Sequence, residues 1–212
     1  MTARSSLRLA VGDLFRNSWR LVPVNAALGA VLVFSAYAAI AVHALLVLAV
    51  LAGPVAAALA HCSVTLVGTG NLELADAWEG LRLHWRRGLA LGGAGVALVV
   101  LATLAVHFYA QSSLGLPFAF LTVYLVVLLG IYAVVLTTVA VASPDQPLRL
   151  IARHAASVGA QRPSATLLLG LALLLVNLAG IAAAVMPFLT VTVAYSFLAV
   201  AHFVVPPEAK EA

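Results

Sequence analysis

The polar side chains within the apolar parts of this chain are its candidates for chemistry. Asn177 lies near the middle of one long apolar segment, and Thr192 and Ser196, about one helical turn apart, lie in the next. An amide and two hydroxyls could line a path for a small neutral solute. The same groups also form hydrogen bonds between membrane helices, which is the plainer interpretation. The sequence therefore predicts a polar interior that contains these three residues together with His61 and His202.

Two histidines, His61 and His202, also fall in apolar segments. A metal site needs several ligands, and no suitable third ligand accompanies this pair in the sequence. We expect neutral histidines that hydrogen-bond between helices, and no metal site. The chain has no Walker, HExxH, nucleophile-elbow or glycine-rich nucleotide motif. The sequence therefore predicts no catalytic residue and no cofactor, and it predicts that the protein is not an enzyme.

The composition indicates which elements position these residues. Of the 212 residues, 64% are hydrophobic and 8% are charged, whereas soluble domains have about 45–50% apolar and about 25% charged residues. We predict an all-α polytopic membrane protein with a single membrane domain over residues 1–212, which includes a short polar tail at 206–212. Six apolar segments are long enough to cross a bilayer, and they are residues 22–42, 45–67, 88–108, 116–141, 165–185 and 187–205.

Charged residues are absent from all six segments. Ionisable side chains at membrane depth are costly and usually mark ion or proton pathways. The sequence therefore argues against an ion-coupled transporter or a proton pump.

The eleven Lys and Arg residues are placed unevenly between the segments. They precede the first segment, separate the second from the third and the fourth from the fifth, or follow the sixth. Short basic loops stay on the cytoplasmic side of a membrane, so we expect both termini to be cytoplasmic. The formal charge of +4 suits anionic lipid headgroups better than nucleic acid. The sequence does not predict an oligomeric state.

An amphipathic stretch precedes every second apolar segment. The three stretches are DLFRNSWRLVPVN (13–25), DAWEGLRLHWRRGLA (76–90) and PLRLIARHAASVGAQRPSA (147–165). We predict three degenerate repeats of surface helix, span, outer turn and span, over residues 5–67, 72–141 and 146–205. The surface helix of the second repeat should turn into the bilayer at Trp85–Arg87.

Tryptophan and arginine are typical anchors at the membrane interface, where arginine meets lipid phosphates. The predicted anchors are Arg16, Trp19, Arg20, Trp78, Trp85, Arg86, Arg87 and Arg162. Small residues such as Gly88 and Gly92 should allow close helix packing, in a compact bundle or against a partner helix.

Three stretches carry a resemblance to a known family. They are LFRNSWRLVPVN, GPVAAALAHCSVTLVGTGNLELADAWEGLRLHWRRGLALGG and PLRLIARHAASVGAQRPSATLLLGLALLLVN. Together they make the chain similar to the YesL-like family of bacterial integral membrane proteins, whose function is uncharacterised. The resemblance implies a protein of the bacterial inner membrane, often encoded beside carbohydrate ABC-transporter components. No catalytic or ligand-binding residue is established for that family.

Two functions follow from this sequence. The first is a non-enzymatic accessory protein that associates with permease subunits of a carbohydrate ABC importer. The alternative is a small autonomous transporter or channel for a neutral solute, which would use the polar interior around Asn177.

Cysteine labelling tests the predicted topology. In a background without Cys62, the variants Arg20→Cys, Arg86→Cys and Arg162→Cys should react with a membrane-impermeant maleimide only from the cytoplasmic side, because arginine-bearing loops do not cross lipid. Labelling of intact cells is compared with labelling of inverted vesicles. Reaction of any of the three only from the outside would overturn the topology.

Overall fold

A computed structural model of the chain describes residues 2–112, 114–182 and 191–205, without the side chains of residues 43–45 and 181. Within these ranges every element is helical, which confirms the all-α prediction. In chain order the elements are α1 (Ala3–Ala41), a 3-10 helix (His43–Leu51), α2 (Ala52–Thr69), α3 (Leu74–Tyr109), α4 (Leu116–Ala142), α5 (Leu148–Gln161), α6 (Pro163–Ala182) and α7 (Val193–Val204).

Five helical stretches in the described residues are long and apolar enough to cross a membrane, as expected of a multi-pass membrane protein. They are α1, Leu46–Thr69, α3, α4 and Pro163–Gly180. Helix α7 is a shorter apolar helix inside the predicted sixth segment. Residues 187–190 of that segment lie outside the described residues, so a sixth span stays a prediction.

The chain turns between the first two spans close to the predicted boundary. Helix α1 ends at Ala41, and Val42 has an extended backbone (φ −140°, ψ 107°) before the next helix begins. That next helix starts as a 3-10 helix and becomes α-helical at Ala52.

The predicted surface helices differ from one another in the structure. In the first repeat, the surface helix and the span form one helix, α1, with a kink at Asn17 (φ −116°, ψ 16°). In the second, α3 runs unbroken from Leu74 to Tyr109, so the predicted turn at Trp85–Arg87 is wrong. No proline interrupts this stretch, and its backbone hydrogen bonds continue into the span.

Only in the third predicted repeat is the predicted surface helix a separate helix. Helix α5 ends at Gln161, and Arg162 leaves the helical region (φ −139°, ψ 64°). The next residue, Pro163, begins α6. Proline disfavours a helical backbone at the residue before it, which explains a break at this position.

Helix α7 forms the centre of the described bundle. Its nine consecutive residues from Ala194 to His202 are all buried, and it packs against α1, α2 and α4. A short helix that is apolar on all sides is stable in this position because every face meets another helix.

Glycine brings α2 and α3 into close contact. A Cβ atom on Gly88 would lie 2.5 Å from the Cα of Pro54, and the positions of Gly53 and Gly92 are equally crowded by backbone atoms of the facing helix. The buried residues of α3 are Gly80, His84 and Gly88, which repeat every four residues along one face. Gly88 and Gly92 therefore serve packing within the chain.

Alanine substitutions on α3 test this contact. Gly88→Ala should lower the free energy of unfolding by about 1–3 kcal/mol, because the added methyl meets rigid backbone. The matched control is Gly93→Ala on the same helix, where a Cβ meets nothing within 4 Å. Unfolding of the detergent-solubilised protein by heat or denaturant measures both variants. Equal stability of the two would contradict the close contact.

Candidate functional site

The predicted polar interior forms between α6 and the start of α7. The Asn177 side-chain nitrogen Nδ2 lies 2.7 Å from Ser196 Oγ, and Thr192 Oγ1 lies 3.2 Å from Asn177 Oδ1. Thr192 and Ser196 are buried, and Asn177 is half-buried. Of the five residues predicted for the polar interior, the structure brings Asn177, Thr192 and Ser196 together, whereas His61 and His202 contact other residues.

The side chains of this cluster hydrogen-bond to one another and to nearby backbone carbonyls. Asn177 Nδ2 donates to both Ser196 Oγ and the Leu173 carbonyl, while Asn177 Oδ1 accepts from Thr192. Ser196 Oγ in turn donates to the Thr192 carbonyl at 2.9 Å. Both amide hydrogens of Asn177 have protein acceptors, so the cluster fits the interpretation of a bond between helices.

His202 forms an interhelical contact that sequence reasoning found only in part. Its Nε2 lies 2.8 Å from Asp13 Oδ2, and the two side chains are 10% and 28% exposed. On the same helix, the Tyr195 hydroxyl donates to the Leu7 carbonyl at 3.3 Å. Together these contacts hold α7 against the first part of α1.

Asp13 was missed as a partner, although the sequence carries a signal for it. It is the only acidic residue before Glu73. It lies three residues after Ala10 and next to Leu14, both of which are buried. A carboxylate on the margin of the buried face of an amphipathic helix is placed to meet a polar group of a packed neighbour.

His61 faces a different partner from His202. The rings of His61 and His84 lie 5.4 Å apart between α2 and α3, tilted by 46°. Gly80 leaves room for the His61 ring, since a Cβ there would lie 2.7 Å from the Cβ of His61. Among the residues that the structure describes, no three His, Cys, Asp or Glu side chains form a group that could hold a metal ion.

The predicted interface anchors are mostly exposed. Four of them form two cation–π pairs, with the Arg20 guanidinium 4.7 Å from the Trp19 ring centre and that of Arg86 5.3 Å from the Trp85 ring centre. The exposed anchors are Arg16, Trp19, Trp78, Trp85, Arg86 and Arg162. Exposure is compatible with contacts to lipid headgroups, and the anchoring role stays a prediction.

Arg87 has a structural partner that its sequence context did not reveal. Its Nη1 donates to the carbonyls of Ala140 (3.0 Å) and Ser143 (3.2 Å), and its Nη2 to those of Pro144 and Gln146. These carbonyls lie at and just after the end of α4, where backbone acceptors lack helical partners and the helix dipole is negative. Arg87 therefore caps α4 from the neighbouring helix α3.

A second arginine makes a similar connection at the same end of the bundle. Arg20 Nη1 donates to Asn71 Oδ1 at 3.0 Å, which joins α1 to the loop between α2 and α3. The start of α3 follows this loop, with Glu73 and Asp76 capping each other's backbone N–H groups. Arginines of α1 and α3 thus fasten the ends of α2 and α4.

Lysine substitutions distinguish the capping of α4 by Arg87 from a general effect of positive charge at this position. Arg87→Lys should lower the free energy of unfolding by about 1.5–3 kcal/mol, since one ammonium group cannot reach carbonyls that a planar guanidinium spans. Arg86→Lys, at the adjacent exposed position, should change stability little. Chemical unfolding in detergent gives the stabilities, and hydrogen exchange in the last turn of α4 should rise only in Arg87→Lys. A similar loss in both variants would refute the cap.

Comparisons with known proteins add no identification to this geometry. The chain matches no protein-family model, and neither curated proteins nor solved structures gave a match. The resemblance to the YesL-like family therefore stays a prediction based on the residues quoted for it.

Proposed function

We propose that this protein is a non-enzymatic accessory component of a membrane assembly, bound through its transmembrane helices to another membrane protein. The partner that the family resemblance implies is a permease subunit of a bacterial carbohydrate ABC importer. The observation that carries the proposal is the hairpin of α3 and α4, which offers a large apolar face.

This hairpin is poorly covered by the rest of the protein. None of the 18 residues in the most apolar stretch of α3 is buried, and in α4 the buried share is 11%. Large side chains are exposed on both helices, namely Leu101, Leu104, Phe108, Phe118, Phe120 and Tyr124. Such a face can meet either lipid or the helices of another membrane protein.

Small residues on α3 favour a helix as the neighbour. Gly93 and Ala97 lie four residues apart, Ala97 is exposed, and a Cβ on Gly93 would meet nothing within 4 Å. Spaced small residues let the backbones of two membrane helices approach closely. Unlike Gly88 and Gly92, this pair is not used in packing against α2, so it can serve an external helix.

The orientation belongs to the same proposal. We infer a chain of six spans in three repeats, in the bacterial inner membrane with both termini in the cytoplasm. Arg20 and Arg87 support this arrangement, because they bind loops and helix ends at one end of the bundle. That end carries the basic residues that short cytoplasmic loops are expected to contain.

The alternative of a small transporter for a neutral solute receives less support from the geometry. Asn177, Thr192 and Ser196 do meet, but their donors bind one another and nearby carbonyls. A solute would have to replace those bonds without a gain in their number. This alternative stays a prediction.

Co-purification tests the accessory role. Protein extracted from native membranes in a mild detergent should carry permease subunits, identified by mass spectrometry. Gly93→Leu should lower their recovery about tenfold, which corresponds to ~1.4 kcal/mol, because the larger side chain separates the helices. The control is Gly12→Leu, at an exposed glycine of α1 with open space at Cβ. Absence of permease subunits, under conditions that preserve other transporter complexes, would refute the proposal.

A further inference from the structure

A cavity of about 610 Å³ lies among the helices, away from the Asn177 cluster. Its walls come from α1, the 3-10 helix with the start of α2, α3 and α4, and Phe197 of α7 also contributes. On each of α1, α3 and α4 the lining residues extend over nine positions, for example from Leu91 to Val99. At 1.5 Å per residue, the cavity extends for about 12 Å along the helices.

The surface of this cavity is composed mainly of apolar side chains, and its few hydroxyl groups are already hydrogen-bonded within the protein. Three lining residues carry hydroxyl groups, and each hydroxyl donates to a backbone carbonyl: Ser35 to Val31 at 2.7 Å, Thr137 to Ala133 at 2.8 Å and Tyr132 to Ala152 at 2.8 Å. Bound water needs two to four polar partners, and a sugar needs more. The lining therefore suits a hydrocarbon much better than a polar solute.

Small side chains create the space. Gly53 and Gly92 keep the backbones of α2 and α3 in contact at one wall, and Ala52, Ala56 and Gly95 extend this flat surface. A Cβ on Gly95 would meet nothing within 4 Å, so this position faces open volume.

The cavity opens sideways, toward the surroundings of the spans. Helix α1 does not pack closely against α3 or α4, so no helix contact closes the wall between them. Lining residues next to this gap are partly exposed, among them Leu32, Val99 and Leu129. All three lie well inside predicted spans, at a depth where the bilayer supplies hydrocarbon chains.

We propose that this cavity binds an acyl chain of a membrane phospholipid. A chain entering between α1 and α4 would replace an empty apolar volume and restore the van der Waals contacts that its lining lacks. The volume lies within the range of about 300–1,000 Å³ that is usual for ligand pockets. The phospholipid headgroup would stay at the membrane surface, so the site selects the chain by its length and shape.

Photocrosslinking in vesicles tests this site. The full-length protein is reconstituted into phosphatidylethanolamine and phosphatidylglycerol vesicles that contain phosphatidylethanolamine with a diazirine at the middle of one acyl chain. After irradiation, adducts are mapped by mass spectrometry. We expect adducts on the buried lining residues Leu28, Ser35 and Thr137, in addition to outward-facing residues such as Leu101 and Phe120.

Filling the cavity should remove only the inner adducts. Gly95→Leu projects a side chain into the open volume, and we expect it to lower labelling of Leu28, Ser35 and Thr137 about tenfold or more, equivalent to ~1.4 kcal/mol. Labelling of Leu101 and Phe120 should not change, which also shows that the variant is folded. The matched control is Gly130→Leu, at an exposed glycine on α4 outside the cavity with open space at its Cβ.

A second variant tests the same site if Gly95→Leu fails to fold. Ala36→Phe narrows the cavity from the exposed edge of α1 and should have the same effect. Adducts confined to outward-facing residues in the unmodified protein would overturn the proposal. Labelling of Leu28, Ser35 and Thr137 that neither Gly95→Leu nor Ala36→Phe lowers would also overturn it. The same holds if a diazirine fatty acid labels these three residues and the diazirine phospholipid does not.

Discussion

The constraint on which this structure depends is that polar groups inside a membrane bundle must find partners in the protein itself. Hydrocarbon offers no hydrogen bonds, so each unpaired group costs several kcal/mol. A related need for partners exists at helix ends, where the last carbonyls of α4 have no further N–H groups of the helix to accept from. Arg87 of α3 supplies the missing donors, because its guanidinium reaches several of these carbonyls at once. The same rule governs Asn177, whose amide hydrogens both have acceptors.

Small residues have two different effects in this bundle. At Gly53, Gly88 and Gly92 the backbones of α2 and α3 touch, which positions His84 of α3 against His61 of α2. Other small residues, such as Gly95, leave the wall that faces α1 and α4 without large side chains. Because α1 does not pack closely against either α3 or α4, the missing volume becomes a cavity. Small residues thus allow tight contact on one side of these helices and, at other positions, leave open space on the other side.

Sequence alone was enough for the helical class of fold and for three of the five residues predicted for the polar interior. Apolar length and the absence of charge predicted the five long apolar helices, and Thr192 and Ser196 were among the hydroxyl-bearing residues expected to meet Asn177. The sequence could not show where a surface helix continues into a span, since a break at Arg162 precedes Pro163, whereas α1 continues through Pro23. Nor could it pair Asp13 with His202, because 189 positions separate them and only the packing of α7 on α1 brings them together.

The hydrogen bonding of polar side chains inside the bundle determines which kinds of ligand the protein can bind. Inside the bundle, the described polar side chains of the Asn177 cluster and of the cavity lining are bound to one another or to backbone carbonyls. A ligand that needs hydrogen bonds would have to break these contacts, and it would gain only equivalent ones. A hydrocarbon chain or an apolar helix faces no such cost, because it binds where the protein has unfilled volume or uncovered apolar surface. Recognition by shape, in the cavity and along the α3–α4 hairpin, is therefore the kind of binding that this interior favours.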